Sequence, residues 1–172
     1  MIKPFRGIMP KVHPGAFVSE FAYVVGNVEI GEGSSIWPGA VVRGDAGKVI
    51  IGRNTCVQDN SVVHSDDLGA VIGDNVLIGH GVVCHGDKIG NNCVLGNGCV
   101  VNGGRTEVAD NCIIAAGAVV LEKTKVPANS FVVGVPGVVK GQVTDELLRR
   151  FKGNIDLYVR LGREYKADGN LE

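Results

Sequence analysis

Residues 30–42, IGEGSSIWPGAVV, place a large aliphatic side chain at every sixth position, Ile30, Ile36 and Val42. Upstream, Val12, Val18 and Val24 keep the same beat. Downstream it resumes at Ile51, Val57 and Val63, at Ile72, Ile78 and Cys84, at Ile89, Leu95 and Val101, at Val108, Ile114 and Val120, and at Val126, Val132 and Val138. Four residues after most of these stands a smaller side chain, among them Ala16, Ala22, Ala40, Ala46, Cys93, Cys99 and Cys112. Six residues suit one short strand and a corner that turns inward. Three such units close a triangle, and 18-residue coils stack at the roughly 4.8 Å spacing of paired strands, with large and small side chains filling the prism. The aliphatics grouped in threes give about seven coils, beginning at Val12, Ile30, Ile51, Ile72, Ile89, Val108 and Val126. The predicted class is therefore all-β, a parallel β-helix of triangular coils.

Composition agrees. The 172 residues are 45% hydrophobic but only 5% aromatic, so β-branched aliphatics must fill the core. With 17 basic and 18 acidic residues there is no overall field to hold nucleic acid or an anionic membrane, and neither partner is expected. The prolines in MIKPFRGIMPKVHPG argue against a signal peptide, and the expected location is the cytoplasm. The five cysteines form no C-x-x-C pair. Cys84, Cys93, Cys99 and Cys112 fall on inward positions and read as core filler, whereas Cys56 points outward and its role stays open.

From Val143 the period changes. Thr144 can cap a helix whose first turn carries Asp145 and Glu146, Val143 can staple to Leu148, and Leu147, Phe151, Ile155, Tyr158 and Gly162 share one face. Residues 1–142 are thus assigned to the β-helix and 143–172 to a helix and tail packed on the same domain, with fraying expected after Tyr165.

The histidines fall at telling places. His64 follows Val63 and His85 follows Cys84, so both stand outward at the end of successive coils, 21 residues apart, and should stack. Two imidazoles at strand spacing can converge on one ion at about 2.0–2.1 Å. His80 lies around a corner of the triangle from them. Within one chain the three cannot share an ion, but in a three-fold trimer the second face of one prism can meet the third face of the next. That predicts one site per subunit interface, with His64 and His85 from one chain and His80 from its neighbour. Arg43 should lie one coil below His64 and Asn102 one coil above His85, while Gln58 shares a face with His80 and is placed to orient a bound water. His13 has no partner, and the glycine-rich strings read as corners because none leads from a strand into a helix.

The repeat over residues 10–140 resembles the hexapeptide-repeat family, which forms left-handed parallel β-helices; the left hand is implied by that resemblance alone, since parallel crossovers are in general right-handed. More narrowly, RGD at 43–45, QDNSVVH at 58–64 and GHGVVCHG at 79–86 resemble the gamma-class carbonic anhydrases. The resemblance implies reversible hydration of carbon dioxide to bicarbonate by a metal-bound hydroxide, with zinc (or ferrous iron or cobalt) held by three histidines that leave one position open. It also implies an Arg43–Asp45 ion pair between subunits, a hydrogen bond from Gln58 to the attacking group, and Tyr158 near the site. The pattern departs from the family's archetype in four places, one of them Cys56, which stands two before Gln58 and replaces a polar residue. Ala46 stands where a glutamate follows the RGD aspartate, the acidic loop is reduced to Ser65–Ala70 with Asp66 and Asp67, and Asn102–Arg105 is one residue longer. The plainer readings are an ordinary trimer ion pair for Arg43–Asp45, a corner hydrogen bond for Gln58, helix packing for Tyr158 and a solvated loop for Asp66 and Asp67. Two other functions compete: an acyltransferase using coenzyme A with one histidine as general base, and a metal-binding scaffold without turnover.

Overall fold

Val42, Val63, Cys84, Val101 and Val120 lie one above another in parallel register, each at most 1% exposed. They form one of three inward columns that make the core. A computed structural model describes residues 1–169. It is a parallel β-solenoid of about seven turns whose strands are mostly two residues long. Ile36, Val57, Ile78, Leu95, Ile114 and Val132 fill the second column and Ile30, Ile51, Ile72, Ile89, Val108 and Val126 the first. Between the first and second faces the corner is an asparagine ladder. Asn54, Asn75, Asn92, Asn111 and Asn129 all adopt positive φ of 52–61°, and each amide bonds the next at 3.1–3.4 Å. Asparagine tolerates the left-handed region, and here it also satisfies its neighbours.

Two details of the repeat differ from the pattern. Ala46 is exposed, because residues Val41–Ile51 form a single 11-residue strand that runs through the corner, and Val49 takes the inward place instead. Val138 is 56% exposed. After Val133 the chain reverses, and Val138–Gln142 pairs antiparallel with Ser130–Val133 rather than starting another side of the prism. All departures from the six-residue step fall at one corner, after Val42, Val63, Cys84 and Val101, the corner between the third face and the first.

The outer surfaces of the three faces differ in kind. On the first, the outward column is charged at both ends, with Lys11–Glu29 and Lys125–Glu107 pairs and Lys88, and apolar between them at Ile50 and the exposed Val71. On the second, Phe17, Cys56, Leu77, Val94 and Ile113 are apolar and buried beneath the C-terminal helix, Asp145–Ala167. Cys56 is thus outward from the prism yet enclosed, and burial pushes its thiol up to about 12; burial does the same for Cys84 inside the core. On the third face no helix lies over the outward column Tyr23, Val41, Val62, Val83, Val100 and Val119.

The helix begins as its sequence dictates. Thr144 Oγ1 accepts from the Leu147 amide at 3.3 Å, and Val143 shares a cluster with Leu148. Ile155 and Gly162 are buried; at Gly162 an added Cβ would lie 3.3 Å from Ser35, so the helix crosses the sheet closely there. Trp37 anchors it through edge contacts with Tyr158 at 5.5 Å and Tyr165 at 5.1 Å. The helix therefore does not fray at Tyr165 but runs to Ala167, where Lys166 Nζ bonds the carbonyls of Pro14 and Ala16. The remainder of the expected fraying, at residues 170–172, lies outside the described residues. Among the described residues no helix is long and apolar enough to cross a membrane. Thr144→Ala should cost about 1 kcal/mol. Urea unfolding followed by Trp37 fluorescence, which reports on the docked helix, checks it; an unchanged midpoint would mean the cap is replaced by water.

Candidate metal centre

Arg43, His64 and His85 stand in one column at the end of the third face, as the coil register requires. The His64 and His85 rings are 5.1 Å apart at 34°, with His64 Nδ1 and His85 Nε2 separated by 3.1 Å. On its far side His64 Nε2 meets Asp45 Oδ1 at 3.0 Å, and Asp45 in turn accepts from Arg43 Nη1 at 2.6–2.8 Å. Burial alone would raise the Asp45 carboxyl, but the bonds from Arg43 and His64 hold it below the usual carboxylate range. A carboxylate at Nε2 keeps the His64 proton there and turns the Nδ1 lone pair toward His85. The 3.1 Å contact is then a hydrogen bond if His85 carries its proton on Nε2, and a pair of facing lone pairs able to hold a cation if it carries it on Nδ1. Tetrahedral zinc with its usual bond lengths separates two ligand nitrogens by ~3.3 Å, close to the spacing found, and the acid behind a ligand histidine is the usual support of such sites. The donor set therefore fits an ion of the zinc type.

His80 stands at the corner between the second and third faces, and its amide donates to Asn97 Oδ1 at 3.1 Å. Its Nδ1 lies 3.0 Å from Asp59 Oδ2, which leaves Nε2 to face outward. Among the described residues of one chain, no three His, Cys, Asp or Glu side chains converge on a common point. Gln58, 4% exposed, and Tyr158 line one trough with His80, between the C-terminal helix and the corner, of about 560 Å³. Burial raises the Tyr158 hydroxyl, with Cys56 and Asp59 adding to it and a hydrogen bond to Gln58 opposing. Tyr158 thus packs on Trp37 and also touches Gln58. The Arg43–Asp45 pair forms within the chain itself.

Three carboxylates at the histidines were not assigned that role from the sequence. Asp59 sits 21 residues before His80, the same coil step that links His64 to His85, so counting would have found it. Asp45 reaches His64 from the strand that runs through the corner, where no period exists to count. Asp66 lies in the short loop after His64, with Oδ1 3.6 Å from His85 Nε2.

Comparison with known proteins agrees with this class of molecule. Residues 9–44 match the family model for the bacterial transferase hexapeptide of six repeats. A Methanocaldococcus jannaschii protein named as a probable carbonic anhydrase is 44% identical over 168 residues, 87% of this chain and 94% of that one. The mitochondrial gamma carbonic anhydrase 2 of Arabidopsis thaliana is 33% identical over 94% of this chain and 60% of its own. A solved hexapeptide transferase family protein from Anaplasma phagocytophilum superposes with a TM-score of 0.91 at 33% identity, covering 96% of this chain and 98% of that one. The chain spans between 26% and 94% of the length of the first curated relatives it matches. It belongs to the hexapeptide-repeat family, in its gamma carbonic anhydrase-like branch, and its solenoid is the left-handed β-helix.

Proposed function

We propose that the protein is a metal-dependent lyase that interconverts carbon dioxide and bicarbonate at sites shared between neighbouring chains of a homotrimer. The observation that carries this reading is the His64–His85 nitrogen pair, 3.1 Å apart and backed by Asp45, with His80 directed away from it in the same chain. The uncovered column on the third face supports the assembly, since it is apolar along its whole length, whereas the first face carries charged pairs at both ends and the second is covered by the helix. Zinc is the favoured ion, one per interface, with ferrous iron or cobalt also suited to imidazole. When bound, the ion supplies the Lewis acidity that brings the pKa of water toward neutrality.

The chain's own groups divide the remaining work. Asp45, steadied by Arg43, fixes the tautomer of His64, and Asp59 does the same for His80. Gln58, nearly buried and bonded to Tyr158, presents its amide to the trough and orients the reacting water. Proton removal is the weak step. Ala46 is an exposed methyl where an acid would serve, and Asp66, 3.6 Å from His85 Nε2, is the one loop carboxylate beside a histidine. Stopped-flow hydration by the metal-loaded protein should therefore speed up with imidazole buffer concentration, while the second-order constant for carbon dioxide stays fixed. Inactivity at every buffer concentration would leave a non-catalytic metal-binding scaffold.

The Asp59–His80 pair and the trough favour a second reading, an acyltransferase with His80 as general base. Turnover of acetyl-coenzyme A by metal-free protein would support it over the lyase.

A further inference from the structure

We infer that Leu68 of the partner subunit seats in the trough beside His80. The inference rests on the shared-histidine reading above and adds a residue that the second copy brings to the same site. Leu68 is 64% exposed at the tip of Ser65–Gly69, the loop that leaves directly from His64. A single exposed leucine is ordinary; its position is what matters.

The trough starts at Gln58 and His80 and is walled by Leu77, Val94, Phe151 and Leu157, so an apolar plug suits it. Height agrees as well. His80 and His85 belong to one coil, so bringing His80 of one chain to His64 and His85 of the next requires cyclic packing with coils level. Leu68 borders Gly104 and Arg105, in the coil that also carries Gly96 and Asn97 of the trough. It therefore arrives at the level of its receptor.

Charge agrees too. Asp67 precedes Leu68, and Arg150 lies one helical turn before Asn154 on the trough side of the helix; among the described residues neither Asp67 nor Arg150 has an ion-pair partner. An apolar anchor flanked by a charge pair is a common way to fix one protein surface on another. Seated there, the Leu68 side chain takes up part of the 560 Å³ trough and narrows it beside Gln58 and His80.

Leu68→Cys and Leu157→Cys in one chain test the contact. The five native cysteines are buried, so mild oxidation should join only the new pair, and a disulfide requires Cα atoms within about 7 Å. The double variant should give covalent dimers and trimers on a non-reducing gel, and neither single variant should. Asn154→Cys replaces Leu157→Cys if the latter disturbs Trp37 fluorescence. Independently, Asp67→Arg should weaken trimerisation about tenfold, and adding Arg150→Glu should restore it. A trimer by ultracentrifugation that yields no cross-link with either cysteine partner, or no charge-swap rescue, overturns the inference. A monomer overturns it together with the shared site. Cross-linked trimer that hydrates no carbon dioxide removes the proposed activity and leaves Leu68 where it is inferred.

Discussion

Mixing His80→Ala chains with His64→Ala chains should restore bound metal to about a quarter of the wild-type content, although each variant alone holds none. The number follows from cyclic symmetry. In a ring of three, any mixed trimer has one junction where an intact His64–His85 pair meets an intact His80. Random assembly makes roughly three in four trimers mixed, so one site in four is complete. His64→Ala, His80→Ala and His85→Ala homotrimers should each lose the ion, because two imidazoles facing open water hold it poorly. Metal analysis after unfolding and co-refolding of the two chains reads the result. Full metal retention by any single variant, or no recovery in the mixture, would reject a site divided between chains.

Gly103→Ala should weaken the ion by about ten- to a hundredfold without touching a ligand. A Cβ at this position would fall 2.5 Å from His85 Nδ1 and 2.9 Å from its carbonyl oxygen, so the imidazole has to swing away from His64. Overpacking there costs about 1–3 kcal/mol, little enough for the solenoid to stay folded. Gly153→Ala is the control. It lies in the helix where an added Cβ meets nothing, and it should leave affinity unchanged while slightly stabilising the helix. Chelator competition measures both. Equal affinity in Gly103→Ala and wild type would mean that His85 does not hold the ion.

The core was legible because inward positions must be apolar and both steps within each coil are six residues, so Val12 through Val132 could be counted off. The stacking of His64 on His85 was legible for the same reason. Legibility stopped wherever the chain left the period. Val138 has the right residue type at the right interval, but the reversal at Gly134–Gly137 turns it into an antiparallel strand, and nothing in the interval announces it. Ala46 was misplaced because a strand through a corner has no corner to count from. Cys56 was seen to point outward but not to be covered. The outward residues Phe17, Cys56, Leu77, Val94 and Ile113 are themselves apolar, and an apolar outer face needs a lid, so the seat of the helix could have been read there. The pairing of Asp45 with His64 had no such signal, since it depends on side-chain reach across an irregular corner.

The concentration of every irregular step at the corner between the third and first faces separates two kinds of change. The prism is held by stacked columns that are indifferent to what the chain does at that corner, so residues can be gained or lost there while the core register survives. Five coils carry four different step lengths at that edge, nine, nine, five, seven and six residues, with the columns unbroken. The same edge holds His64, His85 and the loop with Asp66. Chemistry at this site can thus be rebuilt one insertion at a time, by evolution or by design, without the loss of stability that usually accompanies remodelling an active site. A grafted acidic loop in place of Ser65–Gly69 is the natural first exchange.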